Sequence, residues 1–186
     1  MATLPQTKTV TYEEWLTMPE VQDAIEEVVN GEIRIMPPAK SLHARTVQRT
    51  NRILDRQLDP KLTELLSSNF GLVIRKKPLT SRVPDLAVFH RDTIIEENGY
   101  FHSAPQLVVE VLSPANTRRE RQEKLDDYAE IGVPEVWVLS PQGETVEVLY
   151  LQDGKYIRAH FLGSGDILKP KLFPHVQVNI AEIWPD

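Results

Sequence analysis

The stretch LVVEVLSP, residues 107–114, restricts the fold more than any other part of the chain. Aliphatic residues surround Glu110 on both sides and place apolar side chains on both faces of an extended segment. This is the pattern of a central strand that is covered on both sides. A carboxylate in such a strand loses its water, which is costly unless a cation, a metal ion or hydrogen-bond donors replace it. The sequence therefore predicts a layered fold around a buried sheet, with a specific partner for Glu110.

The segments around this strand predict an α/β fold. Apolar periodicity and end signals predict helices over 41–58 and 117–131, strands at 71–76, 83–89, 107–112 and 136–140, and hairpins over 25–36 and 144–162. The order strand, helix, strand from 107 to 140 is a crossover unit, which predicts a parallel pair of strands. We expect a central mixed β-sheet flanked by helices, with added N- and C-terminal hairpins. One domain over residues 1–186 is expected, with residues 1–10 as a flexible N-terminal segment.

The composition excludes several classes of protein. The 186 residues are 41% hydrophobic, which is enough for a core, and the absence of cysteine excludes disulfides and thiolate metal sites. The N-terminal stretch MATLPQTKTVTYEEW has no apolar signal region, and no apolar run is long enough to span a bilayer. We therefore expect a soluble, cytoplasmic protein. The net charge of −6 counts against non-specific nucleic-acid binding through a broad positive surface, but it allows a local basic cleft around an acidic metal site.

A second acid lies on the preceding predicted strand, in Val83-Pro84-Asp85-Leu86. Because proline cannot donate to a sheet ladder, Pro84 marks the start or the edge of that strand. If the two strands are neighbours, Asp85 and Glu110 come together. Two carboxylates at close range raise one pKa unless a cation lies between them, and a hard divalent ion such as Mg²⁺ is one solution.

The helix over 117–131 supplies a positive partner for the acids. Leu125 and Tyr128 belong to its core-facing stripe, and Lys124 lies at the margin of that stripe, where its long stem can reach back toward Glu110. Two acids and one lysine form a set that suits metal-dependent phosphodiester cleavage. The metal polarises the phosphate and activates a water molecule, and the ammonium group orients that water or stabilises developing charge. A buried structural ion pair is the alternative.

The same stretches resemble a known family. VPDLAVF and LVVEVLSP are similar to the two halves of the PD-(D/E)XK nuclease signature. More specifically, the chain resembles the Uma-two family of restriction-endonuclease-like proteins over about residues 11–184. This resemblance also rests on four further stretches: EVVNGEI, the PP and H at 37–43, EVLSPANT and IGVPEVWVLSP. The resemblance implies a sheet-centred nuclease fold and dependence on Mg²⁺, with Mn²⁺ as a substitute. It also implies Asp85, Glu110 and the backbone carbonyl of Val111 as metal ligands.

The chain departs from the broader signature at one position. Leu112 stands where the signature has a lysine, two residues after Glu110, and Lys124 on the following helix is the matching position. Glu27 matches the family's E-hydrophobic-hydrophobic-x-G site and could reach the metal through water; a solvent-facing hairpin residue is the alternative. His43 lies on the apolar face of the helix over 41–58, and the resemblance places it near the cleft; a core histidine is the alternative.

Several arginines could contact a phosphate backbone. The stripe Arg45, Arg49, Arg52 and Arg56 faces away from His43 and is expected to be an ordinary solvated face. The residues Arg118, Arg119 and Arg121 begin the helix that carries Lys124 and could approach phosphates.

These features predict a Mg²⁺-dependent endonuclease that hydrolyses DNA phosphodiester bonds with a metal-activated water. Asp85 and Glu110 are expected to bind the metal and Lys124 to position the water, with further roles for Glu27 and His43. The alternative is a catalytically inactive binding or assembly module with the nuclease fold, which the acidic charge and the displaced lysine favour. Hydrolysis of another phosphate ester is a third possibility. DNA is the expected partner, and a homodimer is expected by analogy with nucleases that cut two strands.

Overall fold

A computed structural model describes residues 9–19, 21, 24–67, 70–114 and 117–185. Its α-helices are α1 Tyr12–Trp15, α2 Ser41–Asp55, α3 Arg118–Ile131 and α4 Ile180–Ile183, and a short 3-10 helix covers Arg91–Thr93. Its strands are β1 Ile25–Val29, β2 Glu32–Met36, β3 Thr63–Ser67, β4 Leu72–Lys76, β5 Leu79–Arg82, β6 Leu86–His90, β7 Glu96–Glu97, β8 Tyr100–Phe101, β9 Leu107–Val111, β10 Glu135–Ser140, β11 Thr145–Gln152, β12 Lys155–Leu162, β13 Ile167–Leu168 and β14 Val178–Asn179. A flexible segment is predicted over residues 1–10, of which 1–8 lie outside the described residues. No helix in the described ranges is long and apolar enough to cross a membrane.

The larger sheet has six strands in the order β12-β11-β10-β9-β6-β3. Strands β9 and β10 are parallel, and their other neighbours in this sheet are antiparallel. Leu125 and Tyr128 of α3 pack with Val108 on one face, whereas Leu54 of α2 packs with Val109 on the opposite face. The predicted mixed sheet, its parallel pair and its flanking helices are confirmed.

A second sheet, in the order β2-β1-β5-β4-β8-β7, is not foreseen from the sequence. It contains the predicted first hairpin and packs against the short helix α1, with Val28, Val73 and Leu79 in its core. Strands β3 and β5 are also missed, because both are short and lack a regular alternation of apolar and polar residues. Helix α2 ends at Asp55, three residues before the predicted end at Leu58.

The two acid-bearing segments are neighbours, as predicted. Strand β6 pairs antiparallel with β9, with Leu86 opposite Val109, so the next step of the ladder brings Asp85 beside Glu110. Strand β6 begins at Leu86, later than the predicted residue 83, because Pro84 cannot donate to the ladder. The Asp85 carboxylate continues the ladder in place of the main chain by accepting the Val111 N–H at 2.7 Å.

Local sequence signals determine the turn of the hairpin β1–β2, which carries Glu27, and both ends of helix α3, which carries Lys124. Asn30 and Gly31 both have positive φ, as a tight two-residue turn requires, and this turn places Glu27 directly opposite Arg34. Helix α3 begins with a capping box formed by Thr117 and Glu120, and it ends at Gly132 in the left-handed conformation.

Replacing Gly31 with alanine tests how tightly this turn is held. Gly31 and Gly154 both have left-handed φ, which costs a non-glycine residue about 1–2 kcal/mol. A Cβ at Gly31 would also lie 2.7 Å from the Thr9 Cβ, whereas a Cβ at Gly154 has no heavy atom within 4 Å. We expect Gly31→Ala to lower the free energy of unfolding by more than Gly154→Ala, as measured by urea denaturation. Equal losses in the two variants would show that the turn tolerates the added methyl group.

Candidate active site

Helix α3 provides two partners for Glu110. The Lys124 Nζ lies 3.1 Å from Oε2 and 3.3 Å from Oε1, and the Tyr128 hydroxyl donates a hydrogen bond to Oε1. Burial raises the pKa of Glu110 to about 7, and the nearby Asp85 charge adds to the rise, while Lys124 and Tyr128 oppose it. The cation expected for Glu110 is therefore present, but it does not fully offset the loss of water.

Lys124 is shared between two acids. Its Nζ also lies 3.1 Å from Glu27 Oε1, so one ammonium group joins the hairpin strand β1 to the central strand β9. Burial lowers the pKa of Lys124, but the carboxylates of Glu110, Glu27 and Asp85 more than offset this effect and raise it. Lys124 therefore carries its positive charge at neutral pH.

Asp85 joins the site to helix α2. The His43 Nε2 lies 3.2 Å from Asp85 Oδ2, the same oxygen that accepts the Val111 N–H. Burial lowers the pKa of His43, but its hydrogen bond to Asp85 and the Asp85 charge more than offset this effect and raise it. The His43 Nδ1 atom is buried and has no hydrogen-bond partner among the described residues. His43 thus lies beside the acid pair, not inside the apolar core.

Glu27 is buried rather than solvent-facing, and protein groups hold both of its oxygens. Arg82 Nη1 lies 2.9 Å from Oε2, and the Val83 N–H donates to Oε1 at 3.2 Å, beside Lys124. Arg82 and Glu27 are each only 2% exposed, and Arg82 also donates to Asp127 through Nε at 2.7 Å. Burial raises the pKa of Glu27, but Lys124 and Arg82 more than offset this effect and lower it. Glu27 therefore holds Lys124 as a carboxylate.

Sequence reasoning misses Tyr128, Arg82 and Asp127 as members of the site. Tyr128 is predicted only as a core residue, although its position four residues after Lys124 places both on one helical face. The guanidinium of Arg82 lies on a strand that the sequence does not reveal, so no signal indicates it. Asp127, which contacts Arg82, directly precedes Tyr128 in the sequence. It lies among other charged residues, so the sequence does not indicate that this acid is buried.

The donor atoms of the acid pair fit a hard divalent cation. No group of three or more His, Cys, Asp or Glu side chains within the described ranges is placed to hold a metal ion. Mg²⁺, however, is usually bound through one or two carboxylates and keeps several waters. Asp85, Glu110 and the Val111 carbonyl supply oxygen donors of this kind, and the carbonyl and the N–H of a strand residue point to the same edge. Lys124 is shared by Glu27 and Glu110, so that one ammonium group faces two carboxylates beside Asp85.

The predicted arginines separate into two groups. Arg45 and Arg52 on α2 and Arg56 just after its end are exposed, as expected for a solvated face. The Arg49 guanidinium instead donates to the Trp184 carbonyl. On α3, Arg119 pairs with Glu123 at the surface, whereas Arg121 lines the cavity that contains Lys124 and Glu110.

Comparison with known proteins establishes first the fold and then the family. The structure is similar to the crystal structure of "a putative nuclease belonging to DUF820" from Anabaena variabilis ATCC 29413, with a TM-score of 0.76 and 20% sequence identity over 94% of this chain and 97% of that chain. At this identity the likeness establishes the fold alone. A family model described as "Uma2: Putative restriction endonuclease" matches residues 11–181, so the chain belongs to the Uma2 family, as its sequence resemblance indicated. No curated protein matches the chain.

Replacing Arg82 tests the buried charge network. We expect Arg82→Met to lower the free energy of unfolding by about 3–5 kcal/mol, because Glu27 and Asp127 would lose their shared buried cation. The control Arg56→Met removes an exposed guanidinium and should change stability by less than about 0.5 kcal/mol. Urea denaturation of both variants measures the difference. A small loss for Arg82→Met would contradict the view that the network depends on this guanidinium.

Proposed function

We propose that this protein is a Mg²⁺-dependent nuclease that hydrolyses phosphodiester bonds in DNA. The observation that carries the proposal is the convergence of Asp85, Glu110 and Lys124 at the end of β9. Membership of the Uma2 family supports the nuclease class and a nucleic-acid substrate.

The chain's own residues divide into metal ligands and positioning groups. Asp85, Glu110 and the Val111 carbonyl would hold the metal. When bound, Mg²⁺ polarises the phosphate and lowers the pKa of a bound water molecule. Lys124 stays beside the acid pair because Glu27 holds it independently of Glu110.

Lys124 acts as a donor and not as a base. Glu27 holds its ammonium group beside the acid pair, where it can hydrogen-bond to the attacking water or to a phosphate oxygen. His43 contacts Asp85 and orients that carboxylate. Glu27 is a positioning residue for Lys124, since both of its oxygens are already held by protein groups.

The direct test is cleavage of supercoiled plasmid, linear duplex and single-stranded DNA with Mg²⁺ or Mn²⁺. We expect wild-type cleavage that requires the metal, and a loss of about 10²–10³-fold for Lys124→Met, because one charged donor to the reacting groups is removed. Asp85→Asn and Glu110→Gln should lose at least as much. Glu96→Gln, at an exposed position on β7, is the matched acid-to-amide control and should cleave at the wild-type rate.

The cleavage assay needs a control for folding and has one result that would overturn the proposal. Urea denaturation of each variant shows whether a loss of cleavage follows from unfolding. Cleavage that survives in both Asp85→Asn and Glu110→Gln would overturn the proposal, because the metal would then be held elsewhere.

One observation favours a second candidate, an inactive binding or assembly module. Lys124 and Tyr128 occupy both oxygens of Glu110, which is a closed arrangement that a purely structural ion pair would also show. In that case wild-type protein would cleave none of the three DNA forms with either metal. The same cleavage assay therefore separates the two candidates.

A further inference from the structure

Two cavities adjoin the acid pair. The smaller, of about 240 Å³, lies on the α3 side and is lined by Glu110, Lys124 and the hairpin β1–β2. The larger, of about 1220 Å³, lies on the α2 side and is lined by His43 and Asp85. A nucleic-acid backbone could approach the acids through either cavity.

The charges that line the cavities distinguish the two routes. Protein contacts to a nucleic-acid backbone rely on arginine, lysine and N–H donors to neutralise phosphates. Among the described residues, the lining of the larger cavity contains no arginine or lysine and includes the acids Glu26 and Asp85. The lining of the smaller cavity contains four cations, Arg34, Arg82, Arg121 and Lys124, beside three acids, Glu27, Glu110 and Glu120. Only the smaller cavity therefore offers the charge that a phosphate backbone requires.

Two of these four cations are held between acids of the buried network, and the other two are more exposed. Arg82 is buried against Glu27 and Asp127, and Lys124 is held between Glu27 and Glu110. The side chains of Arg34 and Arg121, by contrast, are 37% and 28% exposed.

The elements that carry Arg34 and Arg121 place them on two sides of the acids. Arg34 lies on β2 directly opposite Glu27, which contacts Lys124. Arg34 is therefore on the side of the acid pair where the hairpin β1–β2 lies. Arg121 lies one helical turn before Lys124 on α3 and contacts Glu147 of β11 at 3.0 Å.

The position of Glu147 shows where Arg121 lies relative to the acid pair. Val138 is paired with Glu110 on one side and with Glu147 on the other, so the three residues form one row across the sheet. Adjacent strands are about 4.8 Å apart, which puts Glu147 about 10 Å from Glu110. Arg121 therefore stands on the β11 side of the site, away from the hairpin.

The present partners of both arginines are exchangeable. Arg34 contacts Glu123 and Arg121 contacts Glu147, each at 3.0 Å and each partly exposed to solvent. Ion pairs of this kind contribute little to stability, whereas a guanidinium binds a phosphate through two parallel hydrogen bonds. Either arginine can therefore exchange its carboxylate for a phosphate.

We propose that Arg34 and Arg121 bind phosphates of the substrate strand on either side of the acid pair, so that the backbone runs through the smaller cavity. This inference rests on the proposed nuclease function and adds the route of the strand. Neither arginine touches the reacting atoms, and both are positioning residues. The larger cavity does not carry the phosphate backbone.

The test measures binding separately from cleavage. Fluorescence anisotropy with a labelled duplex and a labelled single strand, in EDTA to prevent hydrolysis, gives Kd between about 50 and 200 mM salt. We expect Arg34→Gln and Arg121→Gln each to weaken binding and to reduce the slope of log Kd against log salt by about 0.9 on duplex or about 0.7 on single-stranded DNA, the value of one phosphate contact. The double variant should lose about twice that slope.

Matched controls identify the route. Arg45→Gln on α2 and Arg56→Gln just after its end remove exposed arginines outside both cavities and should leave the slope unchanged. Gln48→Glu places a negative charge in the larger cavity and should also leave affinity unchanged, since no phosphate passes there. Urea denaturation confirms that each variant is folded.

The outcomes separate the two proposals. If wild-type protein binds and cleaves DNA but neither arginine variant changes the salt slope, the route is wrong while the nuclease function stands. Weaker binding by Gln48→Glu would likewise overturn the route. If wild-type protein neither binds nor cleaves DNA, the proposed function fails and the route fails with it.

Discussion

The ammonium group of Lys124 is the point on which the site depends. It lies 3.1 Å from carboxylate oxygens of both Glu27 and Glu110, and so connects the first hairpin, the central strand β9 and helix α3. Without this cation, two carboxylates would face each other with little water between them, which is strongly unfavourable. The arrangement explains why a glutamate can lie within an otherwise aliphatic strand.

The two buried cations have different surroundings and therefore different roles. Arg82 is enclosed by Glu27 and Asp127, and its fixed planar geometry joins β5 to β1 and α3. Lys124 lies nearer the surface, with its side chain 20% exposed, on a flexible stem that leads into a cavity. Arg82 thus maintains the scaffold by holding Glu27, and Glu27 in turn holds Lys124 where it can interact with a substrate.

Part of this arrangement is predictable from the sequence, because it depends on local signals. Pro84 places Asp85 at the start of a strand, and the crossover unit from 107 to 140 orders β9, α3 and β10. The position of Lys124 on the margin of an apolar stripe indicates that it reaches back to Glu110. The register of the turn at Asn30-Gly31 even sets Arg34 opposite Glu27.

The remaining contacts depend on tertiary packing and could not be predicted. Arg82 meets Glu27 and Asp127 only because the second sheet forms, and β5 lacks the alternation that would reveal it as a strand. Tyr128 has the pattern of a core residue, and its hydroxyl acquires a polar role only because Glu110 lies beneath it. Such contacts join residues far apart in the chain, so no single segment contains their signal.

A crystal structure of the wild-type protein grown with saturating Mn²⁺, with anomalous data collected to locate the metal, tests directly whether the acid pair binds a divalent cation. We expect an anomalous peak bound by Asp85 and Glu110, with Lys124 still in contact with Glu27. An empty acid pair in such crystals, with Lys124 and Tyr128 still holding both oxygens of Glu110, would contradict this expectation.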